Sequence, residues 1–164
     1  MGEVATKNKD IRESILQFED ALKSVEGALI GDNEMCPLKH SFADGIYVRE
    51  IFIPKGAILT GKIHSHEHPN VLLKGKVRVF TESAGFEILE APMAMISKAG
   101  TKRIIEVLED CTWITYHSNI SNTQDLEKIE KFVISETYED YTKLIESQNS
   151  LKSKLINKIK KWIA

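Results

Sequence analysis

Apolar residues recur along this chain with two different periods, and the change of period divides it into three stretches. From Asp10 to Leu29, the residues Ile11, Ile15, Phe18, Leu22, Val25 and Leu29 are spaced four, three, four, three and four apart. Residues three and four apart lie above one another on an α-helix, so this spacing predicts a one-faced amphipathic helix. Asn8 or Asp10 is placed to cap its start, and Gly27 or Gly31 to end it. The pattern spans fewer than three heptads, too short for a long coiled coil; the helix is expected to pack on the domain or on a sister subunit.

Between Ile46 and His117 the period becomes two. Ile46-Tyr-Val-Arg-Glu-Ile-Phe-Ile53 alternates and ends at Pro54-Lys-Gly56. Further short strands are predicted at 71–73, 77–80, 86–89, 93–96, 103–108 and 111–117, separated by turn signals such as Lys74-Gly75, Ala91-Pro92, Lys98-Ala-Gly100 and Glu109-Asp110. Many short strands at this spacing predict an antiparallel sandwich or barrel. After Asn122 the helical period returns. A short helix is expected over 125–131, with Thr123 or Asp125 as cap, and a second from Thr137 to Ile145. A last segment carries Leu151, Leu155, Ile159 and Trp162 on one stripe, with Ile156 and Ile163 beside it. These readings divide the chain into an N-terminal helical arm (1–33), a β-barrel (34–122) and a C-terminal helical tail (123–164).

Composition adds limits. The 164 residues are 42% hydrophobic and 28% charged, with a net charge of −2, as expected of one globular domain with appendages. That charge gives no reason to expect a nucleic-acid partner. No apolar run approaches the length of a membrane span and no apolar leader is evident, so the expected localisation is cytoplasmic. Cys36 and Cys111 are too few for a disulfide framework and are read as buried thiols. The last 14 residues hold five lysines and no acids, so the remainder is more acidic than the whole. Packing of the apolar stripe on protein is the expected arrangement, and a membrane-surface helix is the alternative.

The chemistry concentrates in one place. Three of the five histidines, His64, His66 and His68, fall at alternate positions. In a fully extended strand they share a face, and three neutral imidazoles suffice for a metal centre with an open position. A histidine-rich surface turn is the plain alternative, since Ser65, Glu67, Pro69 and Asn70 are loop formers. His117 ends the last β-rich segment, on the same face as Trp113 and Thr115 by parity. No Ser-His-Asp triad, P-loop or dinucleotide fingerprint is found.

This arrangement resembles the cupin superfamily of small jelly-roll barrels. The first cupin motif runs Gly, five residues, His, one, His, three or four, Glu, six, Gly. In this chain Gly56, Lys62, His64, His68 and Gly75 stand at those positions. The second motif runs Pro, one residue, Gly, two, His, three, Asn, and its places are taken by Lys98, Gly100, Arg103 and Val107. The resemblance covers about residues 34 to 120, and the whole is also similar to stand-alone cupins of phage genomes, from which no activity carries over. It implies an antiparallel jelly-roll barrel with terminal helices and, at its centre, a ligand site.

The site departs from the family pattern, so two readings stay open. In the first, a divalent transition metal is held by His64 and His68 and completed by His66 or His117, with isomerase, oxygenase or lyase chemistry. In the second, Lys62, Arg103 and the histidines form a cationic pocket without metal, and the protein is a ligand sensor or an assembly module. Either way the expected partner is a small molecule, an anionic one where Lys62 and Arg103 bind it. A homodimer is expected from the apolar stripes at both ends.

Overall fold

The computed structural model describes residues 2–28 and 34–163. Helix α1 (Gly2–Lys23) is followed by strands β1 (Leu38–Ala43), β2 (Ile46–Ile53), β3 (Ile58–Thr60), β4 (Ile63–His64), β5 (His68–Thr81), β6 (Gly85–Glu90), β7 (Met93–Ser97) and β8 (Arg103–Ser118). Helix α2 (Leu126–Val133), strand β9 (Ile134–Ser135) and helix α3 (Tyr138–Ile163) complete the chain. The helix at the start begins and ends earlier than its apolar spacing implies. Leu29 and Gly31, named in that expectation, lie outside the described residues.

Seven of the strands form one continuous antiparallel sheet, with β4 and β9 paired separately. Two long strands, β5 and β8, each belong to both halves of it. One half runs β1, β2, the end of β8, the start of β5, then β7. The other runs β3, the start of β8, the end of β5, then β6. Their inner faces meet in one core: Ile53, Leu72, Cys111 and Trp113 from the first half, Val77, Val79, Ile105 and Val107 from the second. This is the expected mainly antiparallel jelly-roll barrel with helices at both ends.

Where the sequence suggests two strands at 71–73 and 77–80, the structure has one bent strand, and the reason is parity. His68, Asn70 and Leu72 are buried at even positions, whereas Val77, Val79 and Thr81 are buried at odd ones. A strand whose side chains alternate can do this only by slipping one residue, and the pairing with β8 shifts between Leu72 and Val77. Gly75 sits in that slip at φ +91°, and a Cβ there would lie 2.3 Å from the carbonyl oxygen of Asp110. Only glycine combines this backbone with so close an approach.

The helices are tied to the barrel by specific contacts. On α1, Ile15 is fully buried, Arg12 pairs with Glu82 and lies 4.6 Å over the Tyr138 ring, and Glu19 accepts hydrogen bonds from Thr60 and Lys102 at 2.8 Å. Asp125 caps α2 by accepting from the Lys128 amide. Thr137 caps α3, accepting from the Asp140 amide at 3.0 Å while its hydroxyl donates to the Asp140 carboxylate. The two helices expected after residue 137 are one, since no Pro or Gly interrupts it. Its first turns pack on the body, where Tyr141 lies against Gly100. Farther along, Leu151, Leu155, Ile159 and Trp162 are exposed, so this stripe is not covered by the described chain. No described helix is long and apolar enough to cross a membrane. Cys111 is buried, which pushes its thiol up to about 11, while Cys36, expected to be buried as well, is only half-buried.

Candidate metal centre

At one end of the barrel the structure brings together His64, His68 and His117, whose ligand nitrogens all lie within 4.8 Å of one another. They come from three elements. His117 points inward near the end of β8, where its partner on β2 is Tyr47. His68 opens β5, opposite Ser97 of β7. His64 ends β4, a two-residue strand held from both sides: it pairs with β9, and the Gly100 amide donates to the His64 carbonyl at 2.8 Å. The adjoining Ser65 amide donates to the Val133 carbonyl, also at 2.8 Å, and Ser65 and Ser135 share a hydrogen bond between hydroxyls. The C-terminal segment therefore helps position a histidine of the site.

Two of these three imidazoles carry ring nitrogens that are buried and without a hydrogen-bond partner: Nδ1 of His64 and Nε2 of His68. Such orphaned atoms are rare in a folded interior, because each forfeits its bonds to water. In His68 the cause of its orientation is visible. Its Nδ1 donates to the His66 carbonyl at 3.1 Å, which leaves Nε2 with a free lone pair facing its neighbours. The rings pack closely, with centroids of His64 and His68 4.2 Å apart and those of His64 and His117 5.1 Å apart.

Electrostatics keep these rings neutral. Burial, followed by the other two imidazoles and the cations of Arg103 and Arg49, lowers the pKa of His64 to about 2. Burial, then His68 and Arg49, lowers His117 to about 3. His68 is lowered too, by burial and by Arg103, against the opposing pull of its bond to the His66 carbonyl. Neutral imidazoles with unpaired nitrogens aimed at a common point are what a first-row metal ion requires. The donor set therefore fits a divalent transition metal, with three nitrogens and no carboxylate among the described residues that converge.

The other residues singled out from sequence divide. His66 does not join the cluster; its ring packs on Phe132 of α2, with centroids 4.6 Å apart. The extended conformation that would align all three histidines is broken by a bend at Ser65 and His66. Lys62 lies outside the barrel, exposed and paired with Glu130. It also lines a separate surface cleft of about 280 Å³ with Glu19, Lys102 and Glu130. It lies in the connection between β3 and β4, before the strand that holds His64 begins, so strand parity does not carry it inward. Arg103 is partly buried and donates to the Ser97 hydroxyl, beside His68.

Asn70 and Arg49 were not singled out as site residues from the sequence. Asn70, 1% exposed, accepts from the Trp113 indole at 2.9 Å and donates to the Ser97 hydroxyl, linking core and site. Arg49 lies on the inward series Tyr47, Arg49, Ile51, Ile53 of β2. An arginine on the same parity as a strand's core residues was a readable signal. His40 pairs with the Tyr47 hydroxyl at 2.7 Å.

The two half-sheets sharing the bent strands β5 and β8 close into one antiparallel barrel. Solved structures similar to this chain include KdgF from a Halomonas species, with 15% identity and a TM-score of 0.47 over 60% of this chain and 90% of that one. An RmlC-like cupin-family protein with a double-stranded β-helix fold from Methanocaldococcus jannaschii aligns at 10% identity and a TM-score of 0.44, over 55% of this chain and 85% of that one. The Cnp3 cupin domain of Schizosaccharomyces pombe aligns at 17% identity and a TM-score of 0.45, over 68% and 73%. No family model and no curated protein sequence matches the chain.

Proposed function

We propose that this barrel end is a mononuclear divalent-metal centre, held by His64, His68 and His117, that binds a small molecule. The observation that carries this reading is the pair of buried, unpartnered ring nitrogens within a three-imidazole cluster. Three protein ligands leave positions open to a substrate, unlike a closed structural site. A metal ion there supplies Lewis acidity, polarising a bound oxygen, which suits isomerase, oxygenase or lyase chemistry. The chain's own residues do the remaining work. The His68 bond to the His66 carbonyl holds one ring in its binding tautomer, and the Asn70–Ser97 link steadies the wall beside it. Trp113, bonded to Asn70, joins this wall to the apolar core that holds Leu72 and Ile53.

Loading the chain with Co²⁺ and adding azide tests the open position. A visible spectrum that shifts on titration is expected; a four-coordinate spectrum unmoved by azide would refute a ligand-binding centre. We further propose that the protein is a homodimer. Support comes from the exposed stripe on α3, where Leu151 is 64% and Trp162 is 87% exposed, an apolar surface that a second copy would cover.

A further inference from the structure

The electrostatic balance of the pocket carries more than the histidines alone. Arg49 on β2 and Arg103 on β8 belong to opposite half-sheets and both adjoin the triad: Arg49 follows Tyr47, the partner of His117, by two residues on the inward series of β2, and Arg103 donates to the hydroxyl of Ser97, the partner of His68. Both are partly buried. Among the described residues neither guanidinium has a carboxylate partner, and the one hydrogen bond made by either is from Arg103 to the neutral Ser97 hydroxyl. Every other arginine in the described residues, Arg12 and Arg78, is ion-paired. Two guanidinium groups beside three neutral imidazoles give this end of the barrel a positive charge of two, with no carboxylate paired to either arginine among the described residues. A divalent ion would double that charge. Buried charge without a counter-charge is costly, so the missing negative charge has to arrive with the ligand.

We propose that the ligand of this pocket is a small oxyanion, gripped by Arg49 and Arg103, and that anion and metal bind synergistically. The planar fork of each guanidinium matches the paired oxygens of a carboxylate or phosphoryl group. The cations that would repel a metal ion from an empty pocket cease to do so once the anion is bound, and by linkage each ligand raises the affinity for the other by one common factor. The inference rests on the reading of this pocket as a ligand site. It does not use Lys62, which is paired outside.

Calorimetric titration of the full chain tests it, with Co²⁺ alone, then pyruvate and methyl phosphate as anion probes, each with and without Co²⁺. At least one probe is expected to bind, and to bind about tenfold tighter on the Co²⁺-loaded protein, with a matching gain in Co²⁺ affinity. Whichever probe responds assigns the carboxylate or the phosphoryl class. Arg49→Gln and Arg103→Gln should each weaken anion binding about tenfold or more while Co²⁺ binding without anion is undiminished, because a repelling cation has gone. Arg103→Lys should restore only part of the loss, since charge remains but the fork does not. Retained Co²⁺ binding in the variants shows that the pocket still folds. Should neither probe bind, or should both bind the glutamine variants as they bind the wild type, the inference is overturned. If Co²⁺ fails to bind but the anion binds with this arginine dependence, the metal reading and the synergy with it are overturned, and only the anion site stands.

Discussion

Substituting Gly75 by alanine perturbs the feature on which the site geometry depends. At φ +91° an L-residue pays about 1–2 kcal/mol for the left-handed backbone alone. The added methyl carbon would also sit 2.3 Å from the Asp110 carbonyl oxygen and 2.9 Å from the Cys111 Cα, both backbone atoms of the long strand β8 that cannot rotate away. Relieving that overlap means parting β5 from β8 at the slip, so the total loss should reach about 3–5 kcal/mol, in the range of the most damaging substitutions. Gly85→Ala is the internal control: its φ is +71°, and nothing lies within 4 Å of a Cβ there, so it should lose only the backbone part. Urea unfolding followed by tryptophan fluorescence reads both. With a slope of about 1–3 kcal/mol per molar for a chain of this class, the further loss of about 2–3 kcal/mol at Gly75 should place its midpoint about 0.7–3 M below that of Gly85→Ala. Midpoints of the two variants within about 0.3 M of one another would refute the claim that the close approach at Gly75 shapes β5.

The remaining predictions concern the site and the tail. Because the folded pKa values of His64 and His117, about 2 and 3, lie below the ordinary 6.5, the metal-free protein should hold its full stability above pH 6.5 and lose it as pH falls toward those values. The two groups together should cost about 2 kcal/mol between pH 6.5 and 5.5, and melting curves of the metal-free His64→Gln, His117→Gln double variant that keep the same pH slope would contradict this. Lys62→Ala should leave metal binding intact and change stability by less than about 1 kcal/mol, since its ion pair with Glu130 is exposed on both sides. A loss of metal in that variant would place Lys62 in the site after all. Deleting residues 150–164 should convert the proposed dimer to a monomer in sedimentation; a shortened chain of unchanged oligomeric mass that no longer binds anionic vesicles would instead make the tail a membrane-surface helix.

Much of the fold was legible because alternation and turn chemistry are local. β2, β6 and β7 fall within a residue or so of their expected positions, and Asp125 caps the helix it was expected to cap. What the residue pattern could not show was continuity: the slip at Gly75 and the turn-like Glu109-Asp110 read as strand breaks, yet both are bends within strands that serve two half-sheets. The same limit explains the site. His64 and His68 were legible from spacing, but equal spacing also drew in His66, and only the bend after His64 turns that ring toward Phe132. His117 stood out by parity on β8. Arg49 was visible on an inward-facing series, but which face of β2 met the core depended on β8 and on α2, whose Ile129 and Val133 cover Tyr47. The apolar stripe of α3 was legible as a surface, but its expected packing on the barrel is not found among the described residues, where the stripe stays exposed.

The central claim is that His64, His68 and His117 together hold one divalent ion. Its most direct test is the metal content of protein produced without a histidine tag, loaded with Zn²⁺ or Co²⁺ and freed of excess. About one ion per chain is expected for the wild type and for His66→Ala, and none for His64→Ala or His117→Ala with the β-fold retained by circular dichroism. Full occupancy in the His64→Ala, His117→Ala double variant, or a wild-type chain that takes up no ion, would contradict the account.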